Sequence, residues 1–189
     1  TGSSLGAIHF NGIGLVSDNT YSDMPKLSLA AKVLQGDELA TELWLSTTPP
    51  TETNRKGHIS YRTNDSYLFG VITLPELTDS ADVSGLQLTT EQVYNEIFEL
   101  MAALDYHYIY RFWNYIADIN GISQGVERYW QFNAGRKDAF VRHADSIGEQ
   151  YPAACAIGIA EGPLSIAFLL GKDAMPIAIE NPRQVSAYD

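Results

Sequence analysis

The chain has 189 residues, 45% of them hydrophobic, with eleven Tyr, seven Phe and three Trp; that is enough for one domain with a sizeable core and too much for a disordered chain. A net charge of −11 excludes a nucleic-acid footprint and docking on an anionic membrane, and obliges any anionic ligand to rely on a local cluster of arginines. Cys155 is the single cysteine, so no intrachain disulfide framework is possible; no stretch approaches the ~20 apolar residues of a membrane span, and the first ten residues lack the basic region of a signal peptide, so a cytoplasmic protein is expected.

In chain order, residues 1–62 read as a β-rich part. "LGAIHFNGIGLV" (5–16) is strand-like with glycines that suggest a bulge, and "TELWLSTTPP" (41–50) alternates until a Pro pair stops it. "GHISYRT" and "SYLFGVITLP" form a hairpin around an Asn64-Asp65 turn, and 75–88 reads as a polar loop. Val93, Ile97, Leu100, Met101 and Leu104 then recur at helical spacing. Thr89 and Gln92 fit a capping box for that helix, with Leu88 and Val93 as the hydrophobic staple. "HYIYRFWNYI" (107–116) is too aromatic and too short for a surface helix and reads as a buried strand.

A second helix is expected over 123–143, with Ser123 as N-cap and a stripe of Val126, Tyr129, Trp130, Asn133, Phe140 and Val141. Its basic residues, Arg128, Arg136, Lys137 and Arg142, read as a solvated face. "YPAACAIGI" and "PLSIAFLL" are expected to pair as a hairpin through "AEGP", and "PIAIE" to be a last short strand. The order β-α-β-α-β-β from 66 to 180 implies an α+β fold with two helices on one face of a sheet. Residues 181–189, with an Asn-Pro turn, an Arg-Gln pair and a Tyr, read like the middle of a sequence rather than a fraying end.

Few residues stand out chemically. His9, His58, His107 and His143 have no metal-ligand spacing, and there is no nucleotide-binding or nucleophile-elbow motif, so neither a metal nor an organic cofactor is expected. Cys155 lies among small residues and reads as buried and inert. In the same run, an arginine at Ala154 would be buried without a partner and cost several kcal/mol. Arg111, flanked by aromatics, either pairs with a carboxylate, lies at the solvated end of its strand, or is an anion clamp, with Asn114 as an added polar contact. Arg183, Gln184, Ser186 and Tyr188 follow a Pro-fixed turn and supply donors for an oxygen-rich ligand.

Segment 66–170 resembles the RidA/YjgF family in element order. Members of that family form trimers, and the active ones hydrolyse imines with the Arg of a Pro-Ala-Arg segment. The matching residues here are Pro152, Ala153 and Ala154, and Ala154 cannot hold a carboxylate, so imine deamination is disfavoured. A closer resemblance is to the chorismatases, some of them labelled pteridine-dependent dioxygenase-like. It rests on "YRFWNYIADIN" (110–120), "ERYWQFNAGRKDAF" (127–140), "YPAACAIG" (151–158) and "IENPRQVSAY" (179–188).

The chorismatase resemblance implies a RidA-like fold and a place in the cofactor-free release of pyruvate from chorismate, giving a hydroxybenzoate or a dihydroxy-cyclohexadiene carboxylate. It also implies that this chain is the N-terminal half, inactive alone, with 181–189 the start of a connection to a second domain, and partnered by a C-terminal chorismatase domain or by copies of itself. By the same resemblance Arg183, Gln184 and Tyr188 stand nearest the pocket, with Arg111 and Asn114 behind them, and no residue is marked as catalytic. The alternative is a free-standing RidA-like small-molecule binder or scaffold.

Overall fold

A computed structural model of the chain describes residues 3–11, 23–31, 39–148, 152–177, 179 and 183. Their order is β1 Ser4–Asn11, β2 Lys26–Ala30, β3 Leu39–Leu45, β4 Asn54–Lys56, β5 Ile59–Thr63, β6 Tyr67–Leu74, α1 Gly85–Ala103, β7 Tyr108–Ala117, β8 Ile122–Ser123, β9 Val126–Glu127, α2 Arg128–Arg142, α3 Ala144–Ile147, β10 Ala153–Ile159 and β11 Leu164–Gly171. The fold is α+β. A six-stranded sheet runs β10-β7-β11-β6-β5-β4, and a three-stranded sheet runs β2-β1-β3. From β6 onward the elements follow the order that the RidA resemblance implies.

The large sheet has two buried faces. On one, α1 and α2 enclose Phe112, Ile116, Phe132, Ile166 and Phe168. On the other, Leu5, Ile8, Leu27 and Leu29 of the small sheet meet Phe69, Val71, Trp113 and Tyr115. The β-rich first part is therefore a second layer rather than an extension of the same sheet. A sheet covered on both faces explains why β11 is apolar at nearly every position.

Helix α1 forms on the expected stripe, but its start lies earlier. Ser84 is the N-cap and its Oγ accepts from Gln87 N at 3.2 Å, while the Asp79 carboxylate accepts from Gly85 N at 2.7 Å. Ser84-x-x-Gln87 is itself a capping-box pattern. Thr89 Oγ1 instead accepts from Leu77 N at 2.8 Å and so ties the preceding loop to the helix. The helix ends in a Schellman arrangement. Asp105 adopts φ +60, Tyr106 N donates to Met101 O at 3.0 Å, and Asp105 N donates to Ala102 O at 3.4 Å.

Further expectations are corrected. Ser123 is not an N-cap: it lies in the β8–β9 ribbon, where its backbone carbonyl accepts from Gln131 Nε2 at 2.7 Å. Helix α2 also turns a different face inward, burying Gln131, Phe132, Gly135 and Ala139 while Tyr129, Trp130 and Val141 are exposed. Gly135 permits this close approach, since a Cβ there would lie 2.2 Å from Gln87 O of α1.

Strands β10 and β11 do not pair with each other. β7 lies between them, parallel to β10 and antiparallel to β11. β10 is thus an edge strand. Ala154 on it is exposed and Cys155 half-buried, so an arginine at 154 would meet solvent rather than core. Finally, Pro176, Ile177 and Ile179 take no strand conformation; the remaining residues of 176–180 lie outside the described residues.

Hairpin β4–β5 is fastened to α1 by Glu96, whose carboxylate accepts from His58 N at 3.1 Å and from Gln92 Nε2 at 3.1 Å, and pairs with His58 Nδ1 at 2.8 Å. Burial pushes the Glu96 pKa up, but the hydrogen bonds from Gln92 and His58 outweigh it and leave it below its ordinary value. A depressed carboxyl pKa stabilises the fold above the unfolded-state value and loses that contribution as pH falls through the folded one. The wild-type protein is therefore expected to lose stability on acidification below about pH 4.5, the ordinary value, and Glu96→Gln to flatten that limb in urea titrations. An exposed pair of this kind contributes about 1 kcal/mol or less.

Candidate functional site

Strand β7 alternates between two environments, as the pleat requires. Phe112, Asn114 and Ile116 face the helices; Trp113 and Tyr115 face the small sheet, and Arg111 shares their side. Arg111 is exposed and sits opposite Ala153 of β10 and Leu169 of β11. Its guanidinium lies 5.3 Å from the Trp113 ring centroid. No carboxylate of the described residues comes within ion-pair distance of it. Of the readings of Arg111, the carboxylate-paired one has no support among the described residues, and its exposure fits both a solvated arginine and an anion clamp.

Trp113 packs in turn against Trp44 of β3, with ring centroids 4.7 Å apart, and Trp44 stacks on Phe69 at 6.2 Å. The Trp44 indole N–H is buried with no hydrogen-bond partner. Tyr115 completes the ledge, meeting Phe10 edge-on at 6.1 Å. Burial drives the Tyr115 phenol pKa up; Cys155 and Glu42 push the same way and Arg111 opposes them. The phenol keeps its proton at neutral pH.

The arrangement is a cationic, aromatic-backed ledge at the sheet edge. It can grip a carboxylate in a planar fork, with the buried Trp113 and Tyr115 rings as backing beneath the guanidinium. It holds no evident proton donor or nucleophile. Cys155 is half-buried, with its Sγ 3.9 Å from Phe112 O, and no group of three metal-ligating side chains occurs among the described residues.

The other sequence-derived residues fall elsewhere. Asn114 is buried beneath α1, accepting from Tyr94 Oη at 2.8 Å and donating to Cys155 O at 2.8 Å. It lies on the opposite face from Arg111 and locks α1, β7 and β10 together. Arg183 lies in an exposed turn. Gln184, Ser186 and Tyr188 lie outside the described residues. Sequence reasoning missed Trp44, although its place two residues from Glu42 in an alternating strand was a signal that both share a face.

The basic residues of α2 are not a uniform solvated face either. Arg128 is clamped on Glu76 and donates from Nε to Ala117 O at 3.0 Å, and Arg142 pairs with Glu91. A groove of about 350 Å³ between Ser28–Ala30 and the β10–β11 loop has room for a small molecule, but Glu161 is its one charged lining residue, the wrong sign for an anion.

The fold is an α+β domain with a cationic, aromatic-backed ledge near one edge of its large sheet. The chain belongs to the FkbO/Hyg5-like chorismatase family, whose N-terminal domain it matches over residues 42–170. It is 33% identical over 153 residues to a chorismatase of Streptomyces hygroscopicus, covering 80% of this chain and 42% of that protein. It is 29% identical over 185 residues to a 3-hydroxybenzoate synthase of the same organism, covering 94% and 52%. A crystal structure of a chorismatase superposes with a TM-score of 0.78 at 30% identity, over 95% of this chain and 52% of that one. The chain spans about half the length of the curated relatives it matches. No helix among the described residues is long and apolar enough to cross a membrane.

Proposed function

We propose that this chain is the half of a cytoplasmic chorismatase-type protein that grips and orients chorismate, while the proton needed for pyruvate release comes from outside it. The observation that carries the reading is the Arg111 guanidinium. It is solvent-accessible, held over Trp113 and without a carboxylate among the described residues, which is the state of a clamp awaiting an anion. In this reading Arg183, Gln184 and Tyr188 contribute further pocket-side donors, as the resemblance implies. Asn114 supports them indirectly by holding β10 in place. The partner is a C-terminal chorismatase domain or further copies of the chain. Trp130, Val141, Met175, Ile177 and Ile179, all more than half exposed, are apolar surface that such a partner would cover.

The test is kinetic. In a full-length chorismatase-type protein carrying this half, Arg111→Met keeps the stacked stem and removes the charge. Losing a charge-assisted contact of about 2 kcal/mol raises the chorismate KM roughly thirtyfold. Arg111→Lys restores only part of this, because an ammonium lacks the planar fork. A KM within error of the parent for both variants would remove Arg111 from the substrate site.

A further inference from the structure

The β7–β10 edge carries a second guanidinium on its other face. Arg136 projects from α2, half-buried, 5.8 Å from the Tyr94 ring centroid and 5.2 Å from that of Phe140. Of the three other basic residues on the helix, Arg128 and Arg142 each sit on a glutamate, and Lys137 is exposed. Arg136 has no carboxylate within ion-pair distance among the described residues, and its Nε is buried with no hydrogen-bond partner. The Tyr94 phenol oxygen interacts with the guanidinium, but a desolvated Nε–H left without an acceptor is costly, and a carboxylate would satisfy it with two parallel bonds.

The surroundings are fixed. Tyr94 Oη donates to Asn114 Oδ1 at 2.8 Å, and Asn114 Nδ2 donates to Cys155 O at 2.8 Å, a line of bonds from α1 through β7 into β10. Burial pushes the Tyr94 phenol pKa up, and the nearby Arg136 cation is the largest influence opposing it. On this face β10 offers only Ala154, Ala156 and Gly158, and Ala154 and Gly158 are exposed. Ile119 covers Gly158 on this face, since a Cβ there would lie 2.6 Å from Ile119 Cγ2, which leaves Ala154 as the exposed short side chain nearest the strand's start.

We propose that Arg136 is the clamp of a second binding site, one for small organic monocarboxylates. Tyr94 and Asn114 are its positioning residues, and the short side chains of β10 are its floor. Phe140 and the alanines suit the apolar body of such a ligand. The net charge of −11 weighs twice as heavily against a dianion as against a monoanion. The site lies on the opposite face of the sheet from Arg111 and does not depend on that residue's role.

The experiment is an NMR titration of the purified ¹⁵N-labelled protein with sodium acetate and then sodium benzoate, against sodium chloride at matched ionic strength. The probes are the Arg136 Nε–H and the backbone amides of residues 154–158. The expected result is a saturable shift with both carboxylates, tighter for benzoate, that chloride does not reproduce. Tyr94→Phe weakens it about fivefold, the loss of one neutral hydrogen bond, and Arg136→Met abolishes it at residues 154–158. The titrations are run in an Arg111→Met background, which removes the ledge's own carboxylate clamp, and the response at the Arg136 Nε–H persists there. If Arg136→Met fails to fold, Arg136→Lys replaces it, with weaker saturation expected because the fork is gone. An equal response to chloride, a linear response without saturation, or undiminished binding in either Arg136 variant would overturn the site.

Discussion

Gly70→Val and Phe168→Ala are each expected to destabilise the protein severely, and together to cost less than their sum. Gly70 of β6 lies directly opposite Phe168 of β11, and the Phe168 ring occupies the space that a Gly70 side chain would take. A Cβ on Gly70 would stand 2.2 Å from Phe168 Cζ. Phe168 is fully buried and belongs to the helix-side core. Truncating it costs about 3–5 kcal/mol in lost burial and residual cavity. Filling position 70 against an intact ring costs about 1–3 kcal/mol or more, because neither central strand can move aside.

In the double variant the valine enters the space the ring has left. A coupling of about 2 kcal/mol in favour of the pair is expected, within the range for residues in contact. Guanidinium denaturation of the four proteins measures it. Strict additivity would mean that the two positions do not share one volume.

Much of this core was legible from local pattern. Val93, Ile97, Leu100 and Met101 mark α1 because a helix packed on a sheet must bury one stripe, and the structure buries all four. Its start was misread because two capping-box patterns stand within five residues, Ser84 with Gln87 and Thr89 with Gln92. Which one caps depends on where the loop from Leu77 is anchored, and that is tertiary information. Helix α2 was misphased for a related reason. Its most conspicuous aromatics, Tyr129 and Trp130, point outward, while the face that packs on α1 is marked by a glycine and an alanine. Close helix contact selects small residues, and a count of apolar side chains underweights them.

The β10–β11 hairpin was a long-range error. A four-residue Gly-containing loop fits a hairpin, but it can equally carry the chain over the end of β7, and only strand order decides between them. The site divides in the same way. Arg111, Trp113 and Tyr115 share a face by simple alternation, so the ledge's floor was in the sequence. Its wall, Trp44, depends on how the small sheet lies across the large one. Arg136 was absorbed into a basic run, and only the partners found for Arg128 and Arg142 set it apart.

The central claim is that this half binds and orients but does not complete the reaction. Chorismate carries two carboxylates and an enolpyruvyl ether, so pyruvate release needs two cationic clamps and a proton delivered to the vinyl carbon as the ether bond breaks. In the proposed reading Arg111 is one of these clamps. The phenols of Tyr94 and Tyr115 hold their protons too firmly to act as acids near neutral pH, and Glu96 is shifted in the direction that favours its ionised form. The deciding measurement is a pyruvate-coupled assay of the 189-residue chain with chorismate, alone and joined to the second half of a chorismatase, with the aromatic product identified by chromatography. The account predicts no release above the uncatalysed rate from the chain alone, turnover from the joined protein, and a raised chorismate KM when Arg111 is replaced. Sustained turnover by the chain alone, abolished by Arg183→Ala or Arg111→Met, would contradict it.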